Sequence, residues 1–250
     1  MSGVLAGKTA VITGASKGIG RACALALGKK GANVVVNYLS NAKMAEDVVN
    51  EIGASRAITI KADVSTLSGI KELVSQTVSR FNKIDILLLN AGLLVQNGSL
   101  EDTEEEQFDR LYATNVKGPY FLVKEAVKHI PEGGRIIFFS TSITALSTVT
   151  PNYLLYTSTK GAIEQMSRIL AKDLGRRQIT VNTISPGPTG TDGFYEGKNE
   201  AVLKMISSWN PLNRIGTVEE IANVITFIAS PDSSWLNGQN VRVNGGMTVG

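Results

Sequence analysis

The sequence of 250 residues contains a single cysteine, Cys23, and a single histidine, His129. One cysteine excludes an internal disulfide and fits a reducing compartment, and the small residues around it (RACALAL) predict a buried structural thiol. One cysteine and one histidine also exclude a Cys/His zinc site and a Ser-His-Asp triad, and we expect no metal. His129 precedes Pro131 closely and is predicted to be a solvated loop residue. Catalytic chemistry must therefore come from other side chains.

Long apolar runs and a strong charge bias are also missing. No run approaches the roughly 20 residues that span a bilayer, and the first residues lack the apolar core of a signal peptide. We therefore expect a cytoplasmic protein without a membrane partner. Lys and Arg total 25 against 22 Asp and Glu, a net charge of +3 that is scattered along the chain, so no nucleic-acid partner is expected.

Short β-branched runs alternate with longer helical patterns, and no linker or repeat interrupts them. Strands are predicted at 9–13, 33–38, 56–64, 83–92, 134–140, 179–185 and 240–246. Helices are predicted at 19–31, 41–53, 67–81, 104–129, 152–174, 199–208 and 217–229. This alternation indicates βαβ units and parallel strand pairing. The prediction is one α/β domain of the Rossmann type over residues 1–250: a doubly wound parallel sheet of about seven strands, with helices on both faces and ligands at the carboxyl ends of the strands.

The first predicted strand runs directly into a glycine-rich stretch, TGASKGIG, with Gly14, Gly18 and Gly20. Glycine permits a tight turn and close backbone approach to a pyrophosphate, and the following helix offers free N–H groups at the positive end of its dipole. A purely structural strand-to-helix turn is the alternative. The position between a strand and a helix favours a dinucleotide site.

The end of the second predicted strand, VVVNYLSN, has no carboxylate. NAD sites usually carry an acid there for the ribose 2′-hydroxyl, and such an acid would repel a 2′-phosphate. Neutral donors can instead hydrogen-bond the phosphate, and Lys17 in the glycine stretch can supply positive charge, unless it is simply solvated. The sequence therefore favours NADP(H) over NAD(H).

The stretch YTSTK places Tyr156 four residues before Lys160, on one face of a predicted helix. A cation beside a phenol favours the phenolate and lowers its pKa from about 10. The alternative is an aromatic core contact with a snorkelling lysine. The polar run STSIT at the end of the fifth strand and the upstream glycine stretch favour proton transfer.

Together these motifs resemble the short-chain dehydrogenase/reductase family over essentially the whole chain. The resemblance rests on TGASKGIG, ADV at 62–64, NAG at 90–92, Asn115 in ATNVKG, Ser142, YTSTK, SPGPTGT at 185–191 and a C-terminal NGG. Within the family, the sequence is most similar to NADP-dependent carbonyl reductases of the fungal naphthol reductase and 3-oxoacyl reductase type. One departure is Leu89, where the family usually has the first asparagine of NNAG, and we expect one structural hydrogen bond of the family to be rerouted here.

The resemblance implies four catalytic residues. Tyr156 is the general acid in reduction and the base in the reverse direction. Lys160 lowers the tyrosine pKa and holds the nicotinamide ribose. Ser142 polarises the substrate carbonyl, and Asn115 anchors a water that relays protons to Lys160.

The resemblance also implies where the cofactor binds. Asp63 and Val64 would flank the adenine, and the last loop would bracket the nicotinamide amide. The full expected set is Gly14, Ser16, Lys17, Gly18, Ile19, Gly20, Asn37, Tyr38, Ser40, Asp63, Val64, Asn90, Ala91, Gly92, Tyr156, Lys160, Pro186, Gly187, Thr189 and Thr191.

The choice of the serine is less direct, since FFSTSIT offers Ser140, Thr141 and Ser142. Ser142 lies fourteen residues before Tyr156, which suits the naphthol reductase branch, whereas thirteen residues would fall on Ile143, which has no hydroxyl. If strand alternation continues, Ser140 and Ser142 share a face, so periodicity does not choose between them. Ser142 is the predicted residue.

A substrate lid is predicted at about 188–215, carrying Phe194, Tyr195, Met205 and Trp209. These side chains suit an apolar or aromatic carbonyl substrate, although Met205 and Trp209 equally fit the core of a short helix. Three functions stay open: an NADPH-dependent ketone or aldehyde reductase, a 3-oxoacyl-thioester reductase of fatty-acid synthesis, and a catalytically silent NADP-binding protein. By resemblance alone, we expect a homotetramer built on the helices at 104–129 and 152–174 and on the last strand.

Overall fold

The computed structural model describes residues 3–95 and 98–249. Its β-strands form one parallel sheet of seven strands in the order β3-β2-β1-β4-β5-β6-β7. The strands are β1 (Thr9–Ile12), β2 (Asn33–Tyr38), β3 (Ala57–Lys61), β4 (Ile86–Leu89), β5 (Arg135–Phe139), β6 (Thr180–Pro186) and β7 (Asn240–Val243). The predicted fold class is confirmed. The order reverses between β1 and β4, and the carboxyl ends on either side of this switch point form the natural binding edge.

Helices connect the strands and cover both faces of the sheet. They are α1 (Gly18–Lys29), α2 (Ala42–Ile52), α3 (Leu67–Phe81), α4 (Glu105–Tyr112), α5 (Gly118–Ala126), α6 (Leu154–Leu174), α7 (Asp192–Tyr195), α8 (Glu200–Ser207) and α9 (Val218–Ala229). Asn41 caps α2 as predicted, because its side chain accepts a hydrogen bond from the Met44 amide at 3.1 Å. Among the described helices, none has the length and apolar character that a membrane crossing requires.

Two apolar clusters lie on opposite faces of the sheet. Ile12 joins one cluster with side chains of α1 and α9, whereas its neighbour Val11 joins the other with side chains of α3, α5 and α6. Successive strand residues point to opposite faces, so both faces must be apolar for the sheet to be buried. The nearly continuous apolar run ILLL of β4 is buried throughout for this reason.

Several element boundaries differ from the predicted ones. The strand predicted at 83–92 ends at Leu89, since Asn90 and the residues after it leave the sheet and line a cleft. The helix predicted at 104–129 is α4 and α5 joined by a π-helical turn, Ala113–Lys117, and followed by a 3₁₀ turn. The short helix α7 lies inside a segment predicted as a loop, and Thr191 caps it by accepting from the Phe194 amide at 3.1 Å. That residues 1–250 form a single domain stays a prediction.

Candidate active site

Two adjoining clefts lie at the carboxyl ends of the strands. The first has a volume of about 810 Å³ and runs from the glycine stretch along the ends of β2, β3 and β4. The second, of about 480 Å³, lies at the ends of β5 and β6 beneath the predicted lid. We call them the cofactor cleft and the substrate pocket. Residues on both walls connect them: Ile19, Asn90, Gly92, Leu93, Thr191 and Gly193.

The predicted cofactor residues divide between these two spaces. The cofactor cleft is lined by Gly14, Ser16, Lys17, Gly18, Ile19, Gly20, Asn37, Tyr38, Ser40, Asp63, Val64, Asn90, Ala91, Gly92 and Thr191. The substrate pocket is lined by the others, which are Tyr156, Lys160, Pro186, Gly187 and Thr189. The structure therefore brings the whole predicted set to one edge of the sheet, although cofactor contact by each residue stays a prediction.

The glycine turn is held tightly to the neighbouring strand. Gly14 has φ of +61°, which favours glycine, and the Asn90 side chain donates to the carbonyls of Thr13 (2.9 Å) and Gly14 (3.1 Å). A Cβ atom on Gly20 would lie 2.4 Å from the Gly14 carbonyl oxygen. No side chain caps the N-terminus of α1, whose first residues line the cofactor cleft. Uncapped N–H groups and their dipole fit a pyrophosphate at this position.

Asn37 lines the cofactor cleft, but its side chain is committed to the protein. Its Nδ2 donates to the carbonyls of Ile60 (3.2 Å) and Ala62 (3.0 Å), and its Oδ1 accepts from the Gly14 amide at 3.3 Å. Both donor hydrogens are used. The Asn37 side chain is therefore not a free donor for a 2′-phosphate, because it braces β2 against the glycine turn and β3, and cofactor contact by Asn37 stays a prediction.

Tyr156 and Lys160 lie one turn apart on α6 and both line the substrate pocket. The Lys160 amine lies 5.7 Å from the Tyr156 ring centroid and donates to the Phe139 carbonyl, at the end of β5, over 2.9 Å. Burial lowers the pKa of Lys160 to about 8, since the charged amine loses hydration there. The helix periodicity that predicted a shared face is confirmed.

The pKa of Tyr156 moves in the direction opposite to the expected one. Burial raises it to about 12, and a hydrogen bond with the Thr141 side chain lowers it by less than burial raises it. Desolvation of the phenolate is the dominant cause, and Lys160 is not among the groups that lower this pKa. A phenol with this pKa stays protonated at neutral pH.

Asn115 lies in the π-helical turn, and its side chain is buried and hydrogen-bonded within the protein. Its Nδ2 donates to the Leu93 carbonyl (2.9 Å) and to the Thr159 hydroxyl (3.1 Å), and its Oδ1 accepts from the Leu93 amide at 2.8 Å. The side chain therefore joins the loop after β4 to the helix that carries Tyr156. Both Nδ2 hydrogens are used, whereas Oδ1 has a second lone pair, and a water molecule anchored at Asn115 stays a prediction.

Ser142 forms part of the pocket wall, and its hydroxyl is hydrogen-bonded to the backbone of β6. The hydroxyl donates to the Ser185 carbonyl of β6 at 2.9 Å, and the residue is 0% exposed. Ser140 instead donates to Glu164 of α6 at 2.7 Å. The expected shared face of the two serines is not found, because the strand ends at Phe139 and a 3₁₀ turn begins at Ser142. The Ser142 hydroxyl is bonded within the protein here, and its role in polarising a substrate carbonyl stays a prediction.

The predicted lid contributes some of its expected side chains to the substrate pocket. Phe194 and Trp209 line the pocket, whereas Tyr195 and Met205 do not and are 47% and 53% exposed. Ile206 lines it instead of Met205, since the turn of α8 places this neighbour inward. The other apolar lining residues are Ile19, Leu93, Leu94, Phe139, Ile143, Tyr153, Pro186, Pro188 and Met247.

Comparison with known proteins connects this geometry to a family. A family model described as enoyl-(acyl carrier protein) reductase matches residues 14–248. The chain belongs to the short-chain dehydrogenase/reductase family. It is 39% identical to the trihydroxynaphthalene reductase PfmaI of Pestalotiopsis fici, over 98% of this chain and 90% of that one. It is 40% identical to the versicolorin reductase stcU of Emericella nidulans, over 97% and 96%.

A solved member of the family superposes closely on this structure. The angucycline C-6 ketoreductase LanV with bound NADP has a TM-score of 0.92 and 36% identity, and the match covers 100% of this chain and 99% of that one. These relatives are oxidoreductases, and the predicted resemblance to the family, including its fungal naphthol reductases, is confirmed.

Some lining residues of the two clefts were not predicted from the sequence. Arg110, Ala113 and Thr114 line the cofactor cleft from α4 and the π-helical turn. Ala113 and Thr114 lie three and four residues after Arg110, so the three share one helix face. This spacing, just before Asn115 in the sequence, could have identified them as neighbours of the site. Met247 gave no signal of its own, since only the fold brings the C-terminal segment back to the pocket.

Proposed function

We propose that the protein is an NADPH-dependent reductase that converts a ketone or aldehyde with an apolar or aromatic body into the corresponding alcohol. One observation carries this proposal. Tyr156 and Lys160 line a pocket of about 480 Å³ with many apolar side chains, and this pocket adjoins the cofactor cleft. Proton-transfer groups in this pocket would face a carbonyl held next to a cofactor in the cleft.

The cofactor cleft fits NADP(H) in shape and charge. The glycine turn and the uncapped start of α1 would hold the pyrophosphate. Lys17 and Arg110 line the cleft and can supply positive charge for a 2′-phosphate, and β2 ends in Asn37 and Tyr38 without a carboxylate. The relative LanV, which was solved with bound NADP, supports this choice.

The proposed mechanism assigns the proton to Tyr156. When bound, the cofactor supplies a hydride that the carbonyl carbon receives. The phenol O–H bond of Tyr156 breaks, and its proton forms the new O–H bond of the alcohol. A phenol whose pKa is about 12 is protonated at neutral pH, as an acid must be. The phenolate that remains lies beside Lys160, whose amine is 5.7 Å from the ring centroid.

Lys160 and Asn115 support this step in different ways. Lys160 lines the substrate pocket and, below its pKa of about 8, presents a cation both to the phenolate and to a nicotinamide ribose. Asn115 acts as a positioning residue, because its side chain holds the loop at Leu93 and, through Thr159, the helix of Tyr156.

The walls of the substrate pocket favour an apolar or aromatic substrate. Phe194 and Trp209 come from the lid, and Ile143 and Tyr153 come from the opposite wall. Relatives named for trihydroxynaphthalene and versicolorin reduction support a fused-ring substrate. A carrier-bound thioester is the second candidate, since the matching family model is described by an acyl carrier protein substrate.

The experiment is a substrate panel followed by the loss of NADPH absorbance. The panel contains a bicyclic aromatic ketone, an acetoacetyl thioester and simple aliphatic ketones, each with NADPH and with NADH. Turnover is expected to be most efficient with the aromatic ketone and NADPH. Preference for the thioester would overturn the substrate class, and preference for NADH would overturn the cofactor. Tight NADPH binding without turnover on any carbonyl would identify a silent binding protein.

Assembly as a homotetramer also belongs to this proposal and rests on the family resemblance. Phe108 of α4, Tyr120 of α5 and Ile169 of α6 are large and exposed, which supports contacts between copies on these helices. Light scattering coupled to gel filtration would measure the assembled mass. A monomer at micromolar concentration would contradict the proposal.

A further inference from the structure

The charged side chains that line the substrate pocket all have the same sign. Two lysines line it, Lys160 and Lys198, and no aspartate or glutamate of the described residues joins them. Lys160 lies on α6 beside Tyr156 and already has a part in the proposed reduction. Lys198 follows α7 in the lid, and neither the hydride transfer nor the proton transfer uses it. Its positive charge therefore points to the substrate.

Two contacts hold the Lys198 amine at the pocket wall. Its Nζ donates to the Phe194 carbonyl at 2.5 Å and lies 4.9 Å from the centroid of the Phe194 ring, which lines the same pocket. A cation within about 6 Å of a ring centroid is attracted to the ring face. An ammonium group has three hydrogens to donate, and the Phe194 carbonyl takes one of them. The amine therefore keeps donors for an acceptor that enters the pocket beside this ring.

The charge of Lys198 has no carboxylate partner in the part of the chain that the structure describes. The acids nearest to it in the sequence, Glu196 and Glu200, are exposed, and neither forms an ion pair with it. Lys198 itself is half-buried. A substrate that fills the pocket would displace water from the amine, and this loss of hydration costs free energy unless an acceptor compensates for it. A negative oxygen on the substrate would compensate best, because charge-assisted hydrogen bonds are strong.

A structural role for Lys198 is the competing explanation. A lysine just after a helix can bond the last carbonyls of that helix, and Phe194 belongs to the four-residue helix α7. If Lys198 only capped α7, its loss would disturb the lid and affect every substrate alike. A role in binding an anion would affect negatively charged substrates selectively. A comparison of charged and neutral substrates therefore separates the two explanations.

We propose that Lys198 binds an anionic oxygen of the substrate, so that the substrate is an aromatic carbonyl compound that carries a carboxylate or a phenolate. This inference rests on the proposed carbonyl reduction and names its substrate class. The aromatic body packs against Phe194 and Trp209, the carbonyl meets Tyr156, and the anionic oxygen meets Lys198. Lys198 determines specificity and takes no part in the transfer of hydride or proton.

The first test measures kcat/KM with NADPH for matched pairs of bicyclic ketones. Tetralones with a carboxylate at each free position of the aromatic ring are compared with their methyl esters, and hydroxytetralones are compared with their methyl ethers. The measured quantity is the ratio of kcat/KM for the charged and the neutral member of a pair. Dividing the wild-type ratio by that of a variant cancels the intrinsic reactivity of each ketone.

Four variants are compared with wild type. Lys198→Gln can still donate to the Phe194 carbonyl but has no charge, and Lys198→Met has neither property. Both should lower the charged-to-neutral ratio about tenfold for at least one kind of pair, since a hydrogen bond to a charged group is lost. Lys198→Arg keeps the charge and should retain most of the ratio. Lys204→Met removes an exposed lysine of α8 outside the pocket lining, and it should change the ratio by less than about twofold.

The second measurement requires no turnover. Calorimetric titration compares 2-naphthoate with the neutral 2-naphthamide, each added to the protein with and without NADP⁺. Wild type should bind the naphthoate about tenfold more tightly than the naphthamide, and Lys198→Gln should bind the two about equally. Thermal unfolding of every variant identifies any that fails to fold.

The two measurements separate the possible failures. A wild-type protein that reduces no carbonyl would overturn the proposed function, whereas the naphthoate titration would still decide whether Lys198 binds an anion. Losses of equal size for charged and neutral ketones in Lys198→Gln would overturn the inference in favour of a capping role. Equal affinity of wild type for naphthoate and naphthamide would overturn it as well. A response of only the carboxylate pairs or only the phenol pairs would identify the anionic oxygen and support the inference.

Discussion

The cofactor cleft and the substrate pocket share one edge of the sheet, but they are built in different ways. In the cofactor cleft, the polar side chains of Asn37 and Asn90 bond inward and hold backbone in place, so that much of the binding surface is glycine and free N–H groups. In the substrate pocket, the surface is made of side chains that come from distant segments, from Leu93 to Met247.

This difference determines how the cofactor cleft and the substrate pocket each respond to residue substitution. A backbone surface depends on a few residues that no other residue type can replace, because a Cβ atom would occupy the space. A side-chain surface tolerates exchange and adjusts its shape to a substrate. The family relatives fit this division, since enzymes at about 40% identity are named for different substrates.

The largest loss of activity is expected for the proposed proton donor, in the substrate pocket beside the cofactor cleft. Tyr156→Phe should lower kcat by about a thousandfold, because the phenol is the proposed acid and acid–base catalysis contributes at about this scale. The dissociation constant for NADPH should change by less than about threefold, which fluorescence titration measures. Tyr153→Phe, in the same pocket, is the matched control and should lose less than about tenfold. Equal losses of kcat in Tyr156→Phe and Tyr153→Phe would contradict the assignment of Tyr156 as the proton donor.

Gly20→Ala should damage the cofactor cleft alone. The new Cβ would lie 2.4 Å from the Gly14 carbonyl, so the turn must shift, and overpacking of this kind costs up to about 3 kcal/mol. We expect NADPH affinity to fall by about a hundredfold with the substrate KM little changed. Gly161→Ala is the control, because a Cβ atom there meets no atom within 4 Å. Unchanged NADPH binding in Gly20→Ala would contradict the close-approach argument.

Lys160→Met tests the buried amine of the substrate pocket, in the protein without cofactor. Burial lowers the Lys160 pKa to about 8, so between pH 8 and the ordinary value of about 10.5 the unfolded chain binds more protons than the folded one. Wild-type stability should therefore rise with pH across this window. The free energy of unfolding of the variant, relative to wild type, should fall by about 2 kcal/mol from pH 7 to pH 10.

Urea unfolding at the two pH values measures this difference. The raised pKa of Tyr156 is present in both proteins and largely cancels in the comparison. Lys61→Met, at an exposed position, controls for the loss of a positive charge. A pH-independent difference between Lys160→Met and wild type would show that the amine is not desolvated.

The smallest effect is expected in the substrate pocket. Phe194→Ala should raise KM for an aromatic ketone about tenfold, since one apolar contact is worth about 1–3 kcal/mol. Met205→Ala is the matched control, because this side chain is exposed outside the pocket, and it should change KM by less than about twofold. A larger rise of KM in Met205→Ala than in Phe194→Ala would contradict the orientation of the lid in the structure. NADPH affinity should stay constant in both variants, in contrast to Gly20→Ala.

More lining residues of the cofactor cleft than of the substrate pocket could be predicted from the sequence. The glycine turn and its strand and helix are contiguous, so local spacing identified Gly14, Gly18 and Gly20. Tyr156 and Lys160 were likewise linked by one helical turn. Ser142 was selected by its spacing to Tyr156, but spacing does not say which way a hydroxyl turns where a strand ends. The 3₁₀ turn at Ser142 and the carbonyl of Ser185, 43 residues later, decide that orientation.

By itself, the sequence determined the parallel sheet, the glycine turn and the shared face of Tyr156 and Lys160. These features follow from periodicity and from residues adjacent in the chain. Only the tertiary structure decided that Asn37 and Asn115 bond inward, that Ser142 donates to the Ser185 carbonyl and that Met247 lines the pocket. Hydrogen-bond partners are chosen in three dimensions, because each buried donor must find an acceptor among segments that the chain order keeps far apart.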